Sequence, residues 1–140
     1  MVMEKEDKQL LLKDICGRLP YNCRVFYEYV DDLDGKTYGY SLTLNTWCID
    51  EFVANKAVIK PYLRPMSSMT EEELAELAYK VFQQPDIDIV KRWVLENKLY
   101  PSIEGNPAMV IDWLNKRHFD YRGLIEKGLA LEASSETYNQ

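Results

Sequence analysis

Apolar residues recur along this chain with two different periods, and the places where the period changes mark its elements. From about Glu4 to Cys16, the apolar positions Leu12, Ile15, Cys16 and Leu19 fall at helical spacing, with Gly17 and Pro20 able to end the helix. From Asn22 the period shortens to two. Cys23, Val25, Tyr27 and Tyr29 alternate with Arg24, Phe26 and Glu28; after the turn-rich DDLDG, Tyr38, Tyr40, Leu42 and Leu44 alternate with Thr37, Gly39, Ser41 and Thr43. The two runs predict a β-hairpin over about 22–44. Trp47 to Ala54 fits a short helix with Ile49, Phe52 and Val53 on one face, a loop being the alternative. AVIKPYL, residues 57–63, predicts a third strand, and Pro61, which has no amide proton, places it at a sheet edge or near the strand's end.

The second half of the chain reads as helical. Thr70 and Glu73 have the spacing of a capping box, Met69 and Leu74 that of the hydrophobic staple around it, and Glu71 to Glu73 complement the positive end of the helix dipole. Leu74, Leu77, Ala78, Val81 and Phe82 continue the stripe, predicting a helix over about 71–82. Ile89, Val90, Trp93 and Val94 predict a second helix within 86–98, started by Asp86 or Asp88. After the break YPSIEGNP, Asn106 as N-cap and Pro107 at the first helical position open a third, striped by Met109, Val110, Trp113 and Leu114 and running to about Arg117. The expected architecture is α+β: a single domain over 1–140, with a small antiparallel sheet (the 22–44 hairpin plus the strand at 57–63) packed against a helical C-terminal half. The Tyr38, Tyr40, Leu42 and Leu44 face should meet the helices, and 134–140 should form a flexible tail.

At 140 residues, 46% hydrophobic and 29% charged, the chain is large enough to bury one core without a disulfide or a structural metal. Its formal charge of −6 opposes approach to a phosphate backbone, so nucleic acid is disfavoured as a partner. Acidic runs at Glu4 to Asp7, Asp31 to Asp34 and Glu71 to Glu73 raise the idea of a DNA mimic, but Lys5, Lys8, Lys13 and Lys36 interleave with them, and solvated helix starts explain them more simply. Cys16, Cys23 and Cys48 form no C-x-x-C pair and one histidine cannot complete a zinc finger, so buried, reduced thiols are expected and no metal or cofactor. The N-terminus lacks the basic and apolar regions of a signal peptide, and no apolar run approaches a membrane span. A cytoplasmic protein with no membrane partner is expected.

HFDYRGLI, residues 118–125, gathers the only histidine with an aspartate, a tyrosine and an arginine. As a catalytic site it would make His118 a general base oriented by Asp120, yet side chains two apart near a helix end do not face each other, and no nucleophile is identifiable beside them. As a corner it employs every residue: His118 ends one helix, Asp120 caps the next, Phe119 and Leu124 form a staple, and Gly128 supplies the left-handed C-terminal residue. The corner reading is preferred. Candidate contacts to a partner or an anion are Lys60, Tyr62 and Arg64 with Lys116, Arg117, Tyr121 and Arg122, should they converge. Tyr27, Tyr29, Tyr38 and Tyr40 are of a type that can stack bases, although core packing on a strand is favoured. No catalytic residue is assigned.

IKPYLRPMSSMTEEE (59–73) and IDWLNKRHFDYRGLIEKGLALEA (111–133) resemble a family of small uncharacterised proteins encoded by gut bacteria, their prophages and their phages. That family's pattern often continues with proline and glycine, where this chain has Ser134, Ser135, Glu136 and Thr137. The resemblance implies a phage or mobile-element setting and carries no activity, cofactor or catalytic residue. It points to a non-enzymatic accessory protein acting by protein binding; the rivals are a nucleic-acid-associated factor using a local basic patch and a small enzyme.

Overall fold

A computed structural model describes residues 3–83, 85–96 and 107–138. Residues 97–106, which hold the expected end of the second helix, the YPSIEGNP break as far as Asn106 and the Asn106 cap itself, and the last two residues of the tail lie outside the described residues. The chain forms two compact units: Met1–Leu63 with Leu124–Gln140, and Arg64–Gly123.

In the first unit, α1 (Lys5–Arg18) runs into a tight 3-10 turn, Leu19–Tyr21, that contains Pro20. Leu11 and Ile15 are buried, and so are Asp14 and Arg18, joined one turn apart by hydrogen bonds of 2.8 and 3.1 Å. The inward stripe is therefore 11, 14, 15 and 18, rotated from the apolar one, because a neutralised ion pair fills two interior positions. Arg18 extends the helix past Gly17, and Cys16 is exposed, correcting the expectation of three buried thiols; Cys23 and Cys48 are buried.

β1 (Arg24–Val30) and β2 (Thr37–Thr43) pair antiparallel from Arg24↔Thr43 to Val30↔Thr37, so the hairpin forms as expected. Its turn closes because Asp31 Oδ1 accepts the amides of Leu33 and Asp34 at 2.7 and 3.3 Å, while Gly35 takes φ +69°. α2 (Thr46–Val53) starts where Asn45 Oδ1 accepts the Cys48 amide at 2.9 Å. β3 (Ala57–Leu63) pairs antiparallel with β1, and β4 (Leu131–Glu132) adds parallel to β3, giving the order β2-β1-β3-β4. The α+β class is as the sequence predicts; the sheet is mixed because of β4. In the strand order β3 lies between β1 and β4, but β4 pairs only with Tyr62 and Leu63, so Pro61 stands near the strand's end, one of the two placements expected for it. Pro61 is tolerated because it shares the orientation of Leu63, whose carbonyl turns to the Ala133 amide at 2.7 Å, away from the β1 ladder, and β4 pairing begins only at Tyr62. The sheet's buried face, with Val25, Tyr27 and Ile59, packs with Leu11 and Ile15 of α1, Phe52 of α2, and Leu124 and Leu129. α1, α2 and the 124–130 segment thus provide the cover expected from the C-terminal helices. Tyr38 and Tyr40, expected beneath such a layer, are exposed.

The tail docks where free mobility was expected. The Tyr138 hydroxyl donates to the Tyr62 carbonyl at 2.6 Å and accepts the Arg24 amide at 2.9 Å, standing between β1 and β3 where a direct ladder bond would otherwise form. The Cys23 thiol lies 3.6 Å from the same oxygen. Burial pushes the Cys23 thiol up to about 11 and, with Cys23 beside it, raises the Tyr138 phenol well above its ordinary value. Both groups hold their protons more tightly folded than unfolded: the thiol's contribution is complete below its unfolded value of 9.0 and is lost as pH rises through the folded value near 11, while the phenol's begins to be lost only as pH passes its unfolded value of 10.0. Urea unfolding between pH 8 and 11 should show stability falling over this window, less steeply in Tyr138→Phe.

The second unit is helical. α3 (Glu71–Glu76) starts with the expected capping box: Thr70 Oγ1 accepts the Glu73 amide at 3.1 Å and Glu73 Oε1 accepts the Thr70 amide at 3.0 Å. It continues as a wider π-helical segment, Leu77–Phe82, that ends at Gln83 with φ +50°. α4 (Ile87–Leu95) is started by Asp86, which accepts the Asp88 amide at 3.0 Å, and α5 is Pro107–Lys116. Leu74, Leu77, Val90, Val110, Leu114 and Phe119 belong to its core.

His118 turns the chain after α5. It takes φ +65°, with its amide on the Asn115 carbonyl at 3.0 Å and the Phe119 amide on the Leu114 carbonyl at 3.0 Å. These are the two bonds of a Schellman cap, and Phe119 and Leu114 share the apolar core that accompanies it. The chain then bridges Arg64: its amide donates to the His118 carbonyl at 2.7 Å, and its carbonyl accepts the Asp120 amide at 2.8 Å. The helix expected after Asp120 does not form. Residues 121–128 are turns, so Asp120 is no helix cap, and the staple between Phe119 and Leu124 has no helix to fix. In the first unit, Gly128 takes φ +75° as expected, and Leu129 donates to Leu124 at 2.9 Å in the same five-residue return. Because a left-handed conformation strains any residue with a Cβ, His118→Gly should unfold at higher urea than His118→Ala, by about 1 kcal/mol. Equal midpoints would refute this account of the corner.

Candidate functional site: an exposed aromatic face

The predicted contact residues divide between the units. Lys60 and Tyr62 lie on β3 in the first, on the sheet face opposite Tyr27, where the Tyr62 hydroxyl meets Ser41 Oγ at 2.9 Å. The others lie in the second, and most are engaged internally. Arg64 binds both Glu73 oxygens at 2.8 and 2.7 Å and stacks 4.2 Å from the Phe119 ring centre. Burial works against the Glu73 carboxylate, but Arg64 and the Thr70 amide outweigh it and hold its pKa below the ordinary value. Arg117 pairs with Glu76 and lies 4.2 Å from the Trp113 ring centre, while Trp113 Nε1 donates to the same carboxylate at 3.1 Å. Arg122 donates to the Tyr121 hydroxyl at 3.1 Å, and that hydroxyl donates to Asn115 at 2.8 Å. Lys116 is exposed. Glu73, read from sequence as a capping-box acid at a solvated helix start, and Glu76, which the sequence reading did not single out, are the partners of these arginines, and no local pattern announces pairing across nine or forty-one residues.

Another surface has a built geometry. Register places Tyr27 opposite Tyr40 and Tyr29 opposite Tyr38, so the four rings share one sheet face at the hairpin end. Trp47, from the first turn of α2, stacks on Tyr27 with centres 5.1 Å apart at 29°. Tyr40 is 5.4 Å from Tyr27, and Tyr38 lies 5.9 Å from Tyr29 at 30°. Tyr27 is buried beneath, while Tyr38, Tyr40 and Trp47 remain 42%, 44% and 50% exposed. The preference for core packing thus holds for Tyr27 and fails for Tyr38 and Tyr40. Burial and then the nearby Glu51 charge raise the Tyr27 phenol, and the Tyr38 hydroxyl donates to Asp34.

Sequence reading missed Trp47, which lies on no strand and joins the cluster only through the turn that Asn45 caps. Among the described residues no cluster of three or more His, Cys, Asp or Glu side chains is placed to hold a metal ion, and no helix is long and apolar enough to cross a membrane. Comparison with protein-family models, curated proteins and solved structures returns no match to this chain.

Proposed function

We propose that this chain is a non-enzymatic accessory protein of a phage or mobile element, acting in the cytoplasm by binding another protein through the aromatic face of the β1–β2 hairpin. One observation carries the reading: Tyr38, Tyr40 and Trp47 stay about half exposed on a rigid base of Tyr27 and Tyr29. Tyrosine and tryptophan bury large area at little loss of side-chain freedom and dominate interface energetics. The internal pairing of Arg64 with Glu73 and of Arg117 with Glu76 favours a protein over a nucleic-acid partner. The three free cysteines suit a reducing compartment.

The test is an affinity pull-down from the native host cell with wild type, Tyr40→Ala and Trp47→Ala at matched melting temperature. A protein retained by wild type and reduced at least tenfold by either variant is the expected result. Equal retention by all three, or turnover of a small metabolite by the purified chain, would overturn the proposal.

A further inference from the structure

The aromatic face adjoins a free sheet edge, and the backbone there is oriented outward. The Leu44 amide donates to the Cys23 carbonyl at 2.8 Å, and the Asp31 amide to the Lys36 carbonyl at 2.8 Å. Every second pair between them therefore bonds across the hairpin: Val25 with Leu42, Tyr27 with Tyr40, Tyr29 with Tyr38. The intervening residues of β2, Thr37, Gly39, Ser41 and Thr43, turn their N–H and C=O groups away from β1, and β2 ends the strand order. Sheet proteins blunt such edges with lysine, proline or a bulge. β2 reads TYGYSLT, pairs without interruption over seven residues, and is exposed at all of them except Leu42. A Cβ at Gly39 would come within 2.3 Å of the Phe26 ring and force that ring to move; its absence also leaves the outer backbone bare.

Charge indicates what the edge receives. The chain covers several of its aromatic rings with its own cations: Lys8 over Phe52, Arg64 over Phe119, Arg117 over Trp113, Arg122 over Tyr121. Among the described residues, no cation stacks on Tyr38, Tyr40 or Trp47, three rings left open to solvent. The adjoining turn carries Asp31, Asp32 and Asp34 against Lys36, Glu51 lies near Tyr27, and the whole chain is −6. Open π faces with carboxylates beside them attract a cation from outside.

We propose that the free edge of β2 takes an extended, lysine- or arginine-bearing segment of a partner protein as an added strand, with a cationic side chain laid over Tyr40 and Trp47. This rests on the protein-binding reading above and names the partner's chemistry. Main-chain bonds to Gly39, Ser41 and Thr43 supply affinity, and the alternate side chains that fall beside Tyr38 and Tyr40 supply selectivity.

The full chain is panned against a displayed library of random twelve-residue peptides, and enriched peptides are synthesised for anisotropy titration and amide exchange. Enrichment of lysine or arginine, slowed exchange at Gly39, Ser41 and Thr43, at least tenfold weaker binding by Trp47→Ala and near-normal binding by Tyr40→Phe are expected. Ser41→Pro, which removes an N–H that β1 does not use, should bind at least tenfold more weakly than Ser41→Ala, which loses the same contact to the Tyr62 hydroxyl but keeps the N–H. Acidic or purely apolar peptides that still need Trp47 would overturn this inference while leaving the protein-binding reading intact, as would cationic peptides that leave those amides exchanging freely. No enrichment, or enrichment indifferent to Trp47→Ala, would overturn both.

Discussion

Replacing Asp14 with alanine should lower the stability of the first unit by about 3–5 kcal/mol, the range for stranding one charge of a buried ion pair. Asp14 and Arg18 are both 0% exposed, and two hydrogen bonds join them along α1. Without the carboxylate, the guanidinium must hold its charge in a low-dielectric interior beside Leu11 and Ile15, or α1 must unwind to let it out. The pair itself need not be strongly stabilising, since withdrawing both ions from water offsets most of their attraction. The double replacement Asp14→Leu with Arg18→Met is accordingly expected within about 1 kcal/mol of wild type or above it. Urea denaturation of the three chains at pH 7 separates the cases. A single variant that unfolds with the wild type would mean that Arg18 reaches water.

Phe119→Ala should be comparably severe in the second unit, about 3–5 kcal/mol. The ring is wholly buried, nearly parallel to Trp113 with centres 6.0 Å apart, and has the Arg64 guanidinium 4.2 Å from its centre. Its loss opens a cavity at the Schellman contact and removes the surface that holds Arg64 toward Glu73. Phe119→Leu, which keeps most of the volume, should cost under about 1.5 kcal/mol. Urea midpoints, with Trp113 emission as a local probe, measure both. An alanine variant as stable as the leucine one would show that the site collapses to fill the void.

The elements legible in the sequence were those whose signal is local. The hairpin alternation, the Asp86 start and the Thr70–Glu73 box each lie within a few residues and are realised. Long-range compensation hid the rest. An inward stripe containing Asp14 and Arg18 has no apolar signature, and β4, two residues long, is too short for any alternation to announce it. His118 stands where glycine is the usual residue, so its left-handed turn could be read as a helix end and not as strain. Of the candidate site, the tyrosines were visible but their exposure was not, because alternation shows that two faces exist and not which stretch of a face goes uncovered. The arginines were visible too; their carboxylate partners were not.

The first unit is assembled from two stretches of chain with Arg64–Gly123 between them. On the ribosome, β1, β2 and β3 emerge well before the residues that complete their sheet. At about 5–20 residues per second, the delay before β4 and Tyr138 appear is on the order of several seconds. During that interval the end of β3 that β4 will cover, Tyr62 and Leu63, is open as well as the outer edge of β2, so the nascent chain exposes more strand edge than the finished protein does. Arg64–Gly123, continuous in sequence, can bury its own core in the meantime. Aggregation during synthesis should therefore depend on how soon the last fifteen or so residues follow, and slowing translation after Gly123 is the manipulation to which yield should be most sensitive.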